Sequence, residues 1–139
     1  MEILAPAGSF SALKAAVING ADAVYLGASA FSARAKAANF SEEELASAVR
    51  YCHLFNVKVY LAVNTVIKLS EYKEALSTIK YADSVGVDAF ILQDLPFIAY
   101  LHSTMPDITI HLSTQAGVHN LEGALAAEKL GVSRVILSR

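Results

Sequence analysis

The residues best placed to do chemistry lie between Ile108 and Asn120, in the segment ITIHLSTQAGVHN. Apolar and polar side chains alternate through its first half, which is typical of a β-strand whose two faces differ. His111 and Ser113 share the polar face, and the strand then runs into a polar loop that contains Gln115. Ligands of parallel α/β folds bind at the carboxyl ends of the strands. The segment therefore predicts a binding site at its end.

Polar residues also follow other predicted strands. Asn64 comes after the third strand, Gln93 and Asp94 come after the fourth, and Ser138 and Arg139 end the sixth. The carboxyl ends of parallel strands share one edge, so these side chains should converge. Amides and hydroxyls at that edge can orient a ligand through hydrogen bonds. The predicted substrate-binding rim comprises Asn64, Gln93, Ser113, Gln115, Ser138 and Arg139.

A long connection, residues 28–40, follows the second strand and carries Arg34. Long connections in compact domains are often functional. A guanidinium group can hold a phosphate or a carboxylate through two parallel hydrogen bonds. Arg34 is therefore a further predicted substrate-binding residue.

The catalytic role is assigned to two further polar residues at the same strand ends. His111 has a side chain that titrates near neutral pH, and Asp94 is the carboxylate beside it on the rim. The alternative is that these polar groups only satisfy one another inside the fold. Serine catalysis is disfavoured, because Ser113 and His111 are neighbours on one strand face and no Gly-x-Ser-x-Gly segment is present. The spacing of the other histidines predicts no metal ligands.

The hydrophobic periodicity predicts six strands alternating with five helices. The predicted strands span residues 2–5, 21–27, 57–63, 89–92, 108–113 and 134–137. The predicted helices begin at the caps Ser9, Ser41, Ser70, Asp94 and Asn120, and they end near Gly20, Phe55, Gly86, Ser103 and Gly131. The segment from Gly20 to Gly27, GADAVYLG, is repeated as GVDAFILQ from Gly86 and, less closely, as GVSRVILS from Gly131. Repeated βα units of this kind imply a parallel sheet with right-handed crossovers.

One face of the predicted strands is entirely apolar, and the opposite face carries the polar side chains. In an open sheet with helices on both sides, a polar face would cost several kcal/mol in unpaired groups. In a barrel, that face is the lumen and its mouth. We therefore predict an α/β fold, a partial (β/α) TIM-type barrel, rather than a doubly wound sheet.

A complete barrel needs eight strands and about 250 residues, and this chain has 139 residues and ends on a strand. We expect residues 1–139 to form a single domain, the truncated amino-terminal fragment of a (β/α)8-like barrel. Its exposed edges would favour a homo-oligomer.

The composition narrows the classes of partner. The net charge is −2, so the chain has no basic field for nucleic acid. Apolar residues make up 55% of the chain. A lone cysteine, Cys52, excludes an internal disulfide. No apolar run approaches the roughly 20 residues that span a bilayer. We expect a cytoplasmic protein without a membrane partner.

The chain resembles the amino-terminal part of peptidase family U32, the collagenase-like peptidases. The matching segments are Glu2–Gly8, Gly20–Gly27, Phe31–Arg34 with Ala38–Phe40, Val57–Tyr60 with Asn64-Thr65, Gln93-Asp94, His111 with Ser113–Gln115, and Ser138-Arg139. They cover nearly all of the chain in the right order. The resemblance implies a barrel that continues past Arg139. Similar proteins take part in hydroxylating bases of tRNA or ribosomal RNA, or the ubiquinone ring, with an iron–sulfur cluster held by cysteines.

Those cluster cysteines lie downstream of the matched region, and Cys52 does not match them. The resemblance therefore implies that this fragment holds no cofactor and is inactive alone, with an iron–sulfur cluster expected in the full-length protein. The favoured function of that protein is hydroxylation of RNA bases, with RNA as the partner. The alternatives are hydrolysis of a peptide substrate, as the family name says, and a non-catalytic role as a scaffold partner.

Overall fold

A computed structural model describes residues 1–33 and 40–139. Its strands are β1 (Leu4–Pro6), β2 (Ala23–Gly27), β3 (Lys58–Val63), β4 (Ala89–Leu92), β5 (Ile110–Leu112) and β6 (Arg134–Val135). Its helices are α1 (Phe10–Ile18), α2 (Glu42–Leu54), α3 (Tyr72–Ser84), α4 (Leu95–Thr104) and α5 (Leu121–Lys129). All neighbouring strands pair in parallel, in the order β1-β2-β3-β4-β5-β6. This confirms the predicted partial barrel, a TIM-like half-barrel.

Side-chain caps begin four of the helices where the sequence predicted them. The hydroxyl of Ser41 accepts a hydrogen bond from the Glu44 amide at 3.2 Å, and the Glu44 carboxylate accepts from the Ser41 amide at 2.8 Å. This reciprocal capping box satisfies two amides that the helix leaves unpaired. The start of α3 differs from the prediction, because a short 3₁₀ turn, Leu69–Glu71, precedes Tyr72.

The repeated glycines end three helices in a left-handed conformation. Gly20, Gly86 and Gly131 have φ angles of 87°, 97° and 83°. A side chain would be strained at these angles, whereas glycine is not. Each helix therefore stops at its glycine, and the next strand begins within three residues.

The residue two positions after each of these glycines connects its strand to the preceding strand. The amides of Asp22, Asp88 and Ser133 each donate, at 2.9 Å, to a backbone carbonyl of the preceding strand segment, namely those of Ile3, Val59 and Ile110. Each side chain bonds to the same strand segment: Asp22 accepts from the Ile3 amide at 2.7 Å, Asp88 accepts from the Val59 amide at 2.7 Å, and Ser133 donates to the Ile110 carbonyl at 3.0 Å. These contacts pair β1 with β2, β3 with β4, and β5 with β6.

The two faces of the sheet carry separate apolar clusters. The outer face packs under the helices, as predicted, with fully buried side chains that include Val24, Leu26, Val59, Leu61, Phe90 and Leu92. A smaller cluster fills the middle of the lumen with Ala23, Tyr60, Ala62, Ala89 and Ile91, against which Leu4, Tyr25 and Ile136 pack. The sequence predicted that the polar face of the strands forms the lumen and its mouth. The middle of the lumen is instead apolar, and buried polar groups there would need partners. Polar side chains lie at its two ends. No helix of the described residues is long and apolar enough to cross a membrane.

Candidate functional site

A cavity of about 440 Å³ lies at the carboxyl ends of the strands. Its floor is the apolar middle of the lumen, formed by Leu4, Tyr25, Ala62, Ile91 and Ile136. Its rim carries the hydroxyl and amide side chains of Ser32, Asn64, Ser113, Thr114 and Gln115. The remaining lining residues are Pro6, Ala7, Gly8, Leu26, Gly27 and Ala33. The cavity therefore combines an apolar floor with an uncharged, hydrogen-bonding mouth.

Asn64 holds the start of the long connection against this cavity. Its side-chain oxygen accepts a hydrogen bond from the Ala33 amide at 3.1 Å. The next residue, Thr65, donates its hydroxyl to the Phe31 carbonyl at 3.1 Å. Two contacts from the end of β3 thus place residues 31–33 at the mouth. The predicted binding residue Arg34 comes next in the chain and lies outside the described residues.

The end of β5 forms a second part of the mouth. The Ser113 amide donates to the Leu92 carbonyl at 2.7 Å, which extends the pairing with β4. The Ser113 hydroxyl accepts from the Gln115 amide at 3.2 Å and caps the 3₁₀ turn Thr114–Ala116. Ser113 is buried, whereas Thr114 and Gln115 are exposed at the mouth. The turn therefore offers two polar side chains to a ligand.

Asp94 makes two structural hydrogen bonds that account for both carboxylate oxygens. One oxygen accepts from the Phe97 amide at 2.8 Å and caps α4. The other accepts from the Ile67 amide at 3.1 Å and holds the loop after β3. Asp94 is not among the described residues that line the cavity. Its catalytic role stays a prediction, and the contacts give it a structural role.

His111 lies below the cavity, toward the amino-terminal end of the lumen. Its ring packs edge-on against Tyr60 with centroids 4.8 Å apart, and it is 5% exposed. Burial, with the nearby Arg134 guanidinium as a second cause, lowers the pKa of His111 to about 4. The imidazole is therefore neutral at pH 7. Its proposed proton-transfer role stays a prediction, and it is not among the described lining residues.

The polar groups around His111 form an ion pair across the lumen. Arg134, the first residue of β6, donates to the Glu2 carboxylate at 2.6 Å. The Tyr60 hydroxyl donates to the same carboxylate at 2.9 Å. The hydrogen bond from Arg134 is the largest cause that lowers the pKa of Glu2, so this carboxylate stays ionised. The pair joins the two edge strands of the described sheet.

The structure thus brings together Asn64, Ser113 and Gln115 of the predicted rim. Gln93 and Asp94, together with Ser138 and Arg139, are not among the described lining residues. The Ser138 amide instead donates to the Val118 carbonyl at 2.7 Å.

Part of the cavity was not assigned from the sequence, namely Gly8, Tyr25, Gly27 and Ser32, and Thr114 was placed in the polar loop after the fifth strand without a site role. Gly8 and Gly27 follow or end predicted strands, so the rule that selected Asn64 could have found them. Tyr25 falls on the face that period-two alternation assigns to the lumen, which is the signal that could have found it.

The described residues do not fit an iron–sulfur cluster. Among them, no group of three or more His, Cys, Asp or Glu side chains could hold a metal ion. Cys52 is buried in α2, and burial raises the pKa of its thiol to about 11. A thiol must be deprotonated to bind metal, so Cys52 is a poor ligand. Any cluster ligands would have to come from outside the described residues.

The fold defines the chain as part of an α/β barrel with a cavity at the end where such barrels bind ligands. The chain belongs to peptidase family U32, whose model matches residues 8–139. A solved U32 peptidase structure superposes with a TM-score of 0.77 at 18% identity, covering 99% of this chain and 58% of that one. The family predicted from the motifs is confirmed.

Three relatives match the whole chain or nearly all of it. An uncharacterized protease of Methanocaldococcus jannaschii is 39% identical, covering 100% of this chain and 33% of the relative. A 23S rRNA 5-hydroxycytidine synthase of Escherichia coli is 33% identical, covering 100% and 21%. The tRNA hydroxylation protein P of Escherichia coli is 33% identical, covering 99% and 30%. The chain thus spans about a third or less of the length of these relatives.

Proposed function

We propose that the full-length protein takes part in hydroxylating bases of ribosomal or transfer RNA in the cytoplasm, and that this half-barrel holds the base. The observation that supports the proposal most is the cavity, with its apolar floor and its rim of uncharged amides and hydroxyls. The names of two relatives, one acting on rRNA and one on tRNA, point to the same chemistry.

The character of the cavity suits an unpaired base. Enzymes that modify a base take it out of the stack, then hold it by hydrogen bonds to its edge and by contacts with apolar or aromatic side chains. The floor around Tyr25 offers apolar and aromatic contact, and Asn64, Thr114 and Gln115 offer donors and acceptors. None of the described lining residues carries a charged side chain. The part of the ligand that enters is therefore uncharged, as a base is.

Other parts of the reaction are assigned outside this chain. Hydroxylation needs an oxygen donor and a carrier of electrons, and we propose that a cysteine-held iron–sulfur cluster of the full-length protein supplies the redox chemistry. Affinity for the RNA backbone also needs positive charge. Because this chain has a net charge of −2, we assign that surface to the remaining part of the protein.

Peptide hydrolysis is the second candidate, favoured by the family name and by the protease relative. The geometry of the described residues supports it less well. Serine catalysis needs a hydroxyl and a base in contact, but the Ser113 hydroxyl caps a turn at the mouth and His111 packs against Tyr60 below. His111 and Ser113 thus lie at different ends of the lumen.

The test compares modified nucleosides in total RNA from cells with and without the full-length gene, by mass spectrometry. We expect one hydroxylated nucleoside to disappear on deletion and to return when the wild-type gene is restored. Unchanged nucleosides in the deletion strain would refute RNA hydroxylation. Accumulation of an uncut peptide in the same cells would instead favour hydrolysis.

A further inference from the structure

We propose that the Tyr25 ring is the surface on which the bound base stacks, and that Gly8 keeps the entrance above it open. The inference rests on the proposed function and adds to it the position of the base. It concerns the half of the cavity formed by β1 and β2, where the sequence predicted no site residue other than Arg34 in the connection after β2.

Tyr25 lies on the lumen face at the floor of the cavity. It is half-buried, packs against the lumen cluster and borders the open cavity. The Ala7 amide donates to the Tyr25 carbonyl at 2.8 Å, which holds the strand beneath the ring. An aromatic side chain that packs against apolar neighbours and borders an open cavity suits stacking with a planar ligand.

Two glycines leave the space toward the mouth free. Side chains of a strand alternate between faces, so Gly27 is the next residue after Tyr25 on the lumen face, and it has no side chain. On the neighbouring strand end, Gly8 lines the cavity, and a Cβ built on it would meet no atom within 4 Å. A planar ring can therefore reach Tyr25 from the mouth between β1 and β2.

The polar rim lies on the other side of the cavity. Asn64 follows β3, and Thr114 and Gln115 follow β5. A base lying on Tyr25 would turn its hydrogen-bonding edge toward these amides and hydroxyls. None of the described lining residues carries a charge that would pair with a phosphate, so the phosphates of the RNA would stay at the entrance. A peptide, which has no flat unsaturated ring in its backbone, would gain little from Tyr25.

Direct binding to the full-length protein tests this arrangement. Saturation-transfer NMR would use the four ribonucleosides as probes, with ribose 5-phosphate and a blocked trialanine peptide for comparison. We expect saturation of the base protons, and neither comparison compound to compete. Stacking on an aromatic side chain contributes about 1–3 kcal/mol per base, so Tyr25→Leu should weaken nucleoside binding roughly 5- to 150-fold. Tyr25→Phe should restore most of that loss.

Gly8→Leu supplies an independent variant, because its side chain enters open space and should leave the fold intact. We expect it to weaken nucleoside binding at least tenfold while the midpoint of thermal unfolding stays unchanged. Tyr100→Leu is the matched control, because this partly exposed tyrosine of α4 is not among the described lining residues, and it should bind nucleosides as the wild type does. Wild-type binding by both Tyr25→Leu and Gly8→Leu would overturn the inference. So would preferential binding of the peptide.

Complementation separates this inference from the proposed function. If the wild-type gene restores the hydroxylated nucleoside and Tyr25→Leu restores it equally well, the stacking surface is wrong and the function stands. If the deletion changes no nucleoside, the function is wrong, and the binding measurements alone then decide about Tyr25.

Discussion

At the scale of single residues, burial decides what a side chain of suitable chemistry does. His111 and Asp94 have the residue types of proton-transfer groups, yet each is surrounded by structural partners. The Asp94 carboxylate caps α4 and holds the Ile67 amide. The His111 ring is buried against Tyr60 with Arg134 nearby. The sequence predicted Asp94 as the cap of α4, but it did not reveal its bond to Ile67 or the burial of His111 against Tyr60, because these partners are distant in the chain.

The low pKa of His111 predicts a loss of stability in acid. The ordinary value is 6.5 and burial lowers the pKa to about 4, so the unfolded chain binds the proton more readily. The neutral ring's contribution to the free energy of unfolding is fully present above pH 6.5. It is lost as the pH falls toward 4, and the total loss is on the order of 3 kcal/mol. His111→Gln should therefore flatten the pH dependence between 6.5 and 4.

Urea unfolding at pH 7, 5.5 and 4 would measure this difference between wild type and His111→Gln. The acid-sensitive pair of Glu2 and Arg134 remains in both proteins, so it does not produce the difference. Parallel pH profiles for the two proteins would show that His111 is not held neutral by burial.

At the scale of elements, the repeated Gly-x-Asp segment explains how the βα units join. The glycine ends a helix in the left-handed conformation, and the next turn brings an aspartate to the amide of the preceding strand. The sequence revealed the repeat and the helix end. It did not reveal the partner, because Asp88 and Val59 are brought together only by the pairing of β3 with β4.

Removal of the Asp88 carboxylate, which contacts His53 Nε2 at 2.8 Å as well as the Val59 amide, should cost a measurable amount of stability. Hydrogen bonds to charged groups contribute about 1.5–3 kcal/mol, so Asp88→Ala should lower the free energy of unfolding by about 2 kcal/mol. Asp88→Asn keeps an acceptor for the Val59 amide and should lose less. Asp83→Ala, an exposed change on α3, is the control. Equal midpoints of urea unfolding for Asp83→Ala and Asp88→Ala would contradict this account.

At the scale of the whole molecule, the described sheet has two open edges. β1 and β6 each pair with one strand, and the ion pair of Glu2 with Arg134 joins their amino-terminal ends. Beside β6, Leu121 and Leu125 on α5 and Leu137 after the strand are exposed. Unpaired strand edges and exposed apolar side chains favour association. The expected homo-oligomer, like the expected amino-terminal fragment of a longer barrel, stays a prediction.

Sedimentation velocity over a range of concentrations would test self-association of this chain. We expect the sedimentation coefficient to rise with concentration, and the double variant Leu121→Lys and Leu125→Lys to remove most of that rise. Leu54→Lys, at the end of α2 away from both edges, is the control for added charge. A rise in the sedimentation coefficient that survives the double variant would place the contact elsewhere. A chain that is monomeric at all concentrations would refute self-association.

The sequence by itself determined the features that depend on near neighbours. Caps such as Ser41 with Glu44, glycine helix ends such as Gly86, and the alternation along β3 are set within a few residues, so they predicted six strands, five helices and the outer face. The motifs also predicted the family. The caps, helix ends and alternation are local patterns, because the interactions that produce them join residues a few positions apart.

Only the tertiary structure decided which strand-end residues share a cavity. The tilt and stagger of parallel strands set how far each end reaches. Asn64, Ser113 and Gln115 therefore line one cavity with Gly8 and Tyr25, whereas the second oxygen of Asp94 binds the Ile67 amide outside the described lining. Curvature of the sheet also buries the middle of the lumen, where apolar side chains pack and the buried His111 stays neutral. Contacts between residues 20 to 130 positions apart depend on that curvature, and no local pattern encodes it.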